Sequence, residues 1–276
     1  MKFWKLHGVG NDFIAIDGRF DKILASDYSD LAQRVCHRRF SVGADGLLVV
    51  KNSEECDVEM VYYNSDGSRA AMCGNGLRCF CKFVYDNNIV NKKEFDVYTL
   101  DGVKKIKLNV IDKKIDSIKV NMGKGSFSKQ DIGLNWNKDN FIEEEIEVLD
   151  KKFKMTSMLM GVPHTVIVAD DISFEDVCKY GKEIEKNKIF SQGTNVNFVK
   201  VEDENNIIVH TWERGCGYTL GCGTGMTASA IVCNHLKKVC KSVNVTSEGG
   251  KVKIDIEDFV YMTGPAVKIC EGTMEV

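Results

Sequence analysis

Two stretches of this chain, roughly 150 residues apart, carry the same succession of signals. Strand-like Val58–Tyr63 leads to Asn64, and Cys73 follows nine residues after Asn64. Strand-like Ile207–Trp212 leads to Glu213, and Cys222 follows nine residues after Glu213. Each cysteine opens a small-residue turn, Cys73-Gly74-Asn75-Gly76 and Cys222-Gly223-Thr224-Gly225, that feeds an apolar segment long enough for a helix. A repeat of this period is far too long for a solenoid, so it predicts two similar lobes rather than a stack of short units. The least patterned connection, Gly123–Asp139, puts the boundary near Asn121. The expected division is 1–121 plus 264–276 for the lobe carrying Cys73, and 122–263 for the lobe carrying Cys222.

Between these landmarks, short segments alternate apolar and polar residues: Phe95–Leu100, Lys104–Val110, Ile115–Asn121, Ile207–Thr211 and Val252–Ile256. Asp-Gly, Asn-Ser-Asp-Gly and Gly-Gly turns punctuate them, as expected of strands in antiparallel or mixed sheets. Helical periodicity occurs at Tyr28–Arg38, Gly76–Asp86, Phe174–Asn187 and Gly225–Lys237. The expected class is therefore mixed α/β (α+β), with many strands and few helices.

Composition removes several functions. A net charge of −3 over 276 residues gives no footprint for nucleic acid. No apolar run approaches a membrane span, so no membrane association is expected. The opening MKFWKLHGVGNDF contains no continuous apolar core of an export signal. Eleven cysteines without such a signal read as reduced thiols of a cytoplasmic protein rather than a disulfide framework. Cys178, Cys233, Cys240 and Cys270 read as small apolar fillers. No pair of CxxC knuckles is present, so no metal site is expected.

Cys73 and Cys222 read differently. A thiol at a helix start meets backbone N–H groups that favour negative charge, and so ionises more easily. Two such thiols, one per lobe, suit the removal and return of an α-proton. That task needs a base on one face of the carbon, an acid on the other, and donors around the carboxylate as it gains enolate-like charge. Gly74, Asn75, Gly223 and Thr224 offer backbone N–H groups for that carboxylate. No cofactor is expected, and the partner is a small amino-acid substrate.

At these residues the chain resembles the diaminopimelate epimerase family. His7-Gly8-Val9-Gly10-Asn11-Asp12-Phe13 and Arg39-Phe40-Ser41-Val42-Gly43-Ala44-Asp45-Gly46-Leu47 are similar to its first two motifs. Asn64-Ser65-Asp66-Gly67-Ser68 with Met72–Cys79 resembles its first catalytic motif. Gly193–Phe198 and Trp212–Gly215 resemble its substrate-binding stretches, and Cys222–Gly225 its second catalytic motif. The resemblance implies two pseudo-symmetric lobes, each a sheet rolled around a central helix, with the active site in the cleft. It implies that Cys73 and Cys222 are the acid/base pair and that Asn11, Asn64, Asn195, Glu213 and Arg214 hold the substrate. It also makes a homodimer plausible.

The chain departs from the family where an asparagine commonly precedes the Pro-His pair. Here Val162 stands before Pro163-His164. Val162 and Tyr218 are thus candidate specificity positions. His164 reads as a core or loop histidine near the pocket, and His7 as structural. Racemisation of another polar amino acid such as histidine is the alternative within the fold. A non-catalytic redox or metal-binding protein is the alternative outside it.

Overall fold

The computed structural model describes residues 1–20 and 27–275. The chain divides into two compact units, Met1–Asn121 with Thr263–Val276, and Met122–Met262.

The first unit runs β1 (Lys2–Gly8), β2 (Asn11–Asp17), α1 (Asp27–Cys36), β3 (Gly46–Lys51), β4 (Val58–Asn64), β5 (Arg69–Ala70), α2 (Gly74–Asp86), β6 (Glu94–Thr99), β7 (Gly102–Ile111) and β8 (Lys114–Gly123). β1 pairs antiparallel with β2, and β2 pairs parallel with β3 after the α1 crossover. β3 and β4 are antiparallel, β4 takes the short β5 antiparallel, and β4 pairs parallel with β6 after the α2 crossover. β7 and β8 extend the sheet antiparallel. The last strand of the chain, Val267–Thr273, closes on β1.

The second unit contains α3 (Lys129–Ile132), β9 (Glu144–Val148), β10 (Lys151–Met160), β11 (Val162–Val168), α4 (Phe174–Glu185), β12 (Asn195–Asp203), β13 (Asn206–Glu213), β14 (Gly217–Thr219), α5 (Gly223–His235), β15 (Ser242–Ser247), β16 (Gly250–Ile256) and β17 (Val260–Gly264), with β18 (Val267–Thr273) completing the chain. Its pairings repeat the first unit step for step. β10–β11 is antiparallel, β11–β12 parallel across α4, and β12–β13 antiparallel. β13–β14 is antiparallel, β13–β15 parallel across α5, and β15–β16 antiparallel. The mixed α+β class expected from the sequence is the one observed.

The register carries the repeat to single residues. In the first unit Phe13 faces Gly46, and Gly46 faces Asn64. In the second, His164 faces Asn195, which lies one position beyond the Val196–Trp212 pair and so opposite Glu213. Aligning Asn64 with Glu213 therefore sets Gly46 on Asn195, Phe13 on His164 and Asn11 on Val162.

Burial explains why these strands read as unbroken apolar runs. Ile14 and Ile16 of β2, with Leu47 and Val49 of β3, pack against Tyr28, Leu31 and Val35 of α1. Phe13, next to Ile14, points to the other face and lies under Gly76 of α2. Strands covered on both faces have no solvated side to carry polar residues. In the second unit α4 takes the role of α1, with Val177, Tyr180 and Ile184 against Phe153, Ile167 and Phe198. α5 has no polar face. Its Met226, Ala228, Ala230 and Val232 are fully buried, and the hydroxyls of Thr227 and Ser229 donate back to the carbonyls of Gly223 and Gly225. Such a helix belongs inside a core.

Two expectations require correction. The helices predicted from Gly76 and Gly225 begin two residues earlier, at Gly74 and Gly223, because the preceding cysteine is itself the cap. Of the four cysteines read as apolar fillers, only Cys233 is buried. Cys240 and Cys270 are exposed and Cys178 is half-buried. The latter three are accessible to solvent, where a thiol fills no core space.

Candidate active site

Cys73 and Cys222 occupy equivalent positions in their units. Each has extended backbone, with φ/ψ of −139/123 and −97/113. Each side chain takes the place usually filled by Ser, Thr, Asp or Asn at a helix N-cap. The N–H of Gly76 donates to Cys73 Sγ at 3.5 Å, and the N–H of Gly225 to Cys222 Sγ at 3.4 Å. A capping sulfur so placed meets the positive end of the helix, which favours thiolate. Gly74, Asn75, Gly223 and Thr224 contribute the first-turn N–H groups, the ones a helix directs outward along its axis.

Burial acts on other thiols of the chain. Burial pushes Cys36 and Cys233 up to about 12, with the carboxylates of Asp12 and Asp45 adding to the effect at Cys36. Burial drives Cys79 and Cys81 upward as well.

Around Cys73 the first unit assembles a charged cluster. Cys73 Sγ lies 3.5 Å from Asn11 Oδ1, and Asn11 Nδ2 donates to Asp45 Oδ2 at 2.5 Å. Arg38 bridges Asp12 at 2.6 Å and Asp45 at 2.9 Å, and Lys5 lies 3.1 Å from Asp12. Burial alone would raise the Asp12 pKa, but hydrogen bonds from Arg38 and Lys5 outweigh it and hold the carboxyl below its usual range. Asn64 sits at the end of β4. Its Oδ1 accepts from Tyr62 and its Nδ2 donates to Ser68.

Sequence reasoning assigned no role to Arg78, a fully buried guanidinium on α2. It donates to the carbonyls of Pro265 and Gly74 and to Asn75 Oδ1. The only available sequence signal is a cation in the middle of an apolar helix, three residues after Asn75.

In the second unit the Asn195 amide is committed on both sides. Nδ2 donates to the Pro163 carbonyl at 3.0 Å, and Oδ1 accepts from the Arg214 N–H at 2.9 Å. Asn195 thus anchors the strand end that presents Glu213 and Arg214. Glu213 accepts from Thr219, while Arg214 donates to the Gln192 carbonyl, so the two are not an ion pair with each other. Glu185 of α4 holds the following turn through Trp212 Nε1 and the Gly215 N–H. Beside Cys222, Thr224 Oγ1 lies 3.4 Å from the sulfur.

His164 is fully buried. Asn197 Nδ2, whose amide oxygen accepts from Thr211, meets His164 Nδ1 at 3.2 Å. Nδ1 is therefore the acceptor and Nε2 carries the hydrogen, and Nε2 has no partner among the described residues. Burial, aided by the Arg214 charge, lowers the His164 pKa to about 3. A pKa so lowered leaves the ring neutral near pH 7. Val162 is half-buried at the start of β11. The Tyr218 hydroxyl is taken up by His210 and Glu248.

Solved structures share this architecture at low sequence identity. A probable proline racemase from Agrobacterium radiobacter superposes with a TM-score of 0.74 at 12% identity, over 100% of this chain and 93% of that one. A phenazine biosynthesis protein of the PhzF family from Bacillus anthracis gives 0.73 at 14% identity, over 100% and 99%. Together with two cysteine-capped helices, this defines the chain as a member of the fold that proline racemases and PhzF proteins share. The sequence profile of diaminopimelate epimerase matches residues 3–128 and 156–269. Proteins named diaminopimelate epimerase from Clostridium perfringens and Alkaliphilus metalliredigens are 50% and 46% identical over 274 residues, covering 99% of this chain and 99% and 96% of theirs. One from Methanothermobacter thermautotrophicus is 41% identical over 279 residues, 99% of this chain and 98% of that one. The chain belongs to the diaminopimelate epimerase family.

Proposed function

We propose that this chain is an isomerase that inverts one α-carbon of LL-diaminopimelate to give the meso form, without a cofactor. The observation that carries the reading is the pair of sulfurs, each capping a helix and each accepting from the third N–H. One sulfur, as thiolate, takes the α-proton from one face. The electron pair left on carbon delocalises into the carboxylate, which first-turn N–H groups stabilise as it gains charge. The other sulfur, as thiol, returns a proton to the opposite face. The enzyme is left with its two protonation states exchanged, and proton exchange with water resets it.

Each unit carries one of the two sulfurs that the reaction uses. Asn11, Asn64, Asn195, Glu213 and Arg214 hold the substrate, Arg214 by a forked pair with the distal carboxylate. Val162 lacks a hydrogen bond that an asparagine would give there, a loss of about 0.5–3 kcal/mol, too little to exclude this substrate. The enzyme works in the cytoplasm, where its thiols stay reduced, and as a homodimer, which light scattering tests.

A chirality screen tests the substrate. Diaminopimelate isomers and the common amino acids, histidine among them, are each incubated with the enzyme and resolved by stereoisomer. Inversion of LL-diaminopimelate supports the reading. Inversion of histidine in its place would move the chain to another substrate of the same chemistry, and inversion of none would refute it.

A further inference from the structure

We propose that Asp45 is a positioning residue that, through Asn11, keeps the proton on Cys73 in the free enzyme. The inference rests on the reading of Cys73 as one of the acid/base groups, and it says which way that group is poised.

The argument begins with the Asn11 amide, whose two ends have different chemistry. Asp45 Oδ2 is a carboxylate oxygen, so it accepts only. The Asn11 atom 2.5 Å from it is therefore the NH2. The orientation of the amide is fixed, and its oxygen necessarily faces Cys73 Sγ at 3.5 Å. A carbonyl oxygen accepts from S–H but repels a thiolate. Asp45 is itself immobilised. Oδ2 also accepts from the Asp12 N–H at 3.1 Å, Oδ1 accepts from Arg38 at 2.9 Å, and the Asp45 N–H donates to the Asp12 carbonyl at 2.9 Å.

Among the described groups of its own unit, Arg78 on α2 is the charged one that interacts with Cys73 electrostatically, Cys79 beside it is a buried, neutral thiol, and the Lys5, Asp12, Arg38 and Asp45 cluster lies behind Asn11. Arg78 and the Gly76 N–H both favour thiolate. Asn11 Oδ1 opposes them.

The second unit supplies an internal comparison. The position equivalent to Asn11 is Val162, which has no acceptor, and that equivalent to Asp45 is Thr194. The hydroxyl beside Cys222 belongs to Thr224, and a hydroxyl can donate to a thiolate as readily as accept from a thiol. The two capping sulfurs are alike in backbone and differ in the side-chain oxygen described beside each, an amide oxygen at Cys73 and a hydroxyl at Cys222.

The test is the pH dependence of iodoacetamide labelling at Cys73, read peptide by peptide by mass spectrometry in the native protein, Asp45→Asn and Asn11→Ala. In Asp45→Asn the amide at 45 no longer dictates which end of Asn11 faces the sulfur. In Asn11→Ala the acceptor is gone while every charge remains. The labelling midpoint of Cys73 is expected to fall by about one pH unit in both, with the Cys222 midpoint unmoved. A fall in Asp45→Asn alone would show a charge effect and overturn the proposal. An unchanged or raised midpoint in both variants, even with lowered melting temperatures, would overturn it too. Labelling needs no turnover, so the result is read separately from that of the chirality screen. Should Asp45→Asn fail to fold, Asn11→Ala decides alone.

Discussion

Arg78 Nε donates to the Pro265 carbonyl at 3.1 Å, across 187 residues of chain. The same guanidinium reaches Gly74 O at 3.3 Å and Asn75 Oδ1 at 2.9 Å. One buried cation therefore ties the returning C-terminal segment to the first turn of the helix that Cys73 caps. Burial lowers its pKa, and its hydrogen bonds keep it satisfied there. Replacing Arg78 by Ala leaves buried acceptors without this donor and should cost about 3 kcal/mol. Lysine should not restore the loss, because an ammonium cannot span the fork. Urea denaturation measures both. A variant within about 0.5 kcal/mol of native would contradict this role.

Gly225 is packed against the Asn197 amide and the Cys222 side chain, so a methyl there displaces one of them. Alanine ordinarily stabilises a helix by about 1 kcal/mol relative to glycine. Here the collision should win, and Gly225→Ala should be less stable by about 1–3 kcal/mol. Because Asn197 is the partner of His164 Nδ1, the ring signals of His164 should also shift in a proton–nitrogen spectrum. A more stable variant with unchanged signals would show that the site accommodates the methyl.

His164 makes stability depend on pH with a definite sign. Its folded pKa is about 3, against an ordinary 6.5. Between those values the unfolded chain binds a proton that the folded chain does not. Stability therefore rises with pH across this window and is lost as pH falls below 6.5, by up to about 1.4 kcal/mol per pH unit. His164→Gln removes the titration, so its urea midpoint should drop less than the native one between pH 7 and pH 5. Equal drops would mean that the ring is charged in the folded protein.

Cys73→Ser and Cys222→Ser separate capping from chemistry. Serine is a good N-cap, so folding should be preserved. Its hydroxyl is too weak an acid to exchange protons as a thiol does, and turnover should fall by about 100- to 10,000-fold in each variant. Melting temperature and turnover, measured side by side, check this. Retained turnover in either variant would remove that sulfur from the reaction.

Much of this architecture is legible in the sequence because the periodic signals are local. The strand-to-cysteine spacing announces both capped helices, and the turn residues delimit the strands. The residues that escaped act over distance. Arg78 looks like one polar residue in an apolar helix, and only the return of Pro265 supplies its partner. Asp45 is one unassigned residue of the Arg39–Leu47 motif until the parallel pairing of β2 with β3 brings it to Asn11. Asn195 reads as a substrate ligand, and its anchoring of Pro163 and Arg214 is invisible in the sequence because those contacts exist only once β11 and β12 lie side by side. The two missing residues at each helix start reflect a cap made by cysteine, a residue that sequence rules do not count among helix caps.

The two-sulfur mechanism is tested most directly by isotope exchange at early conversion. LL-diaminopimelate is incubated with the enzyme in deuterium oxide, and α-deuterium is measured separately in the meso product and in the recovered substrate. The account predicts one deuterium at the inverted carbon of the product and protium retained in the recovered LL isomer, because separate groups take and return the proton. Product that carries the original α-proton would contradict it, as would deuterium appearing in recovered LL substrate as fast as in product.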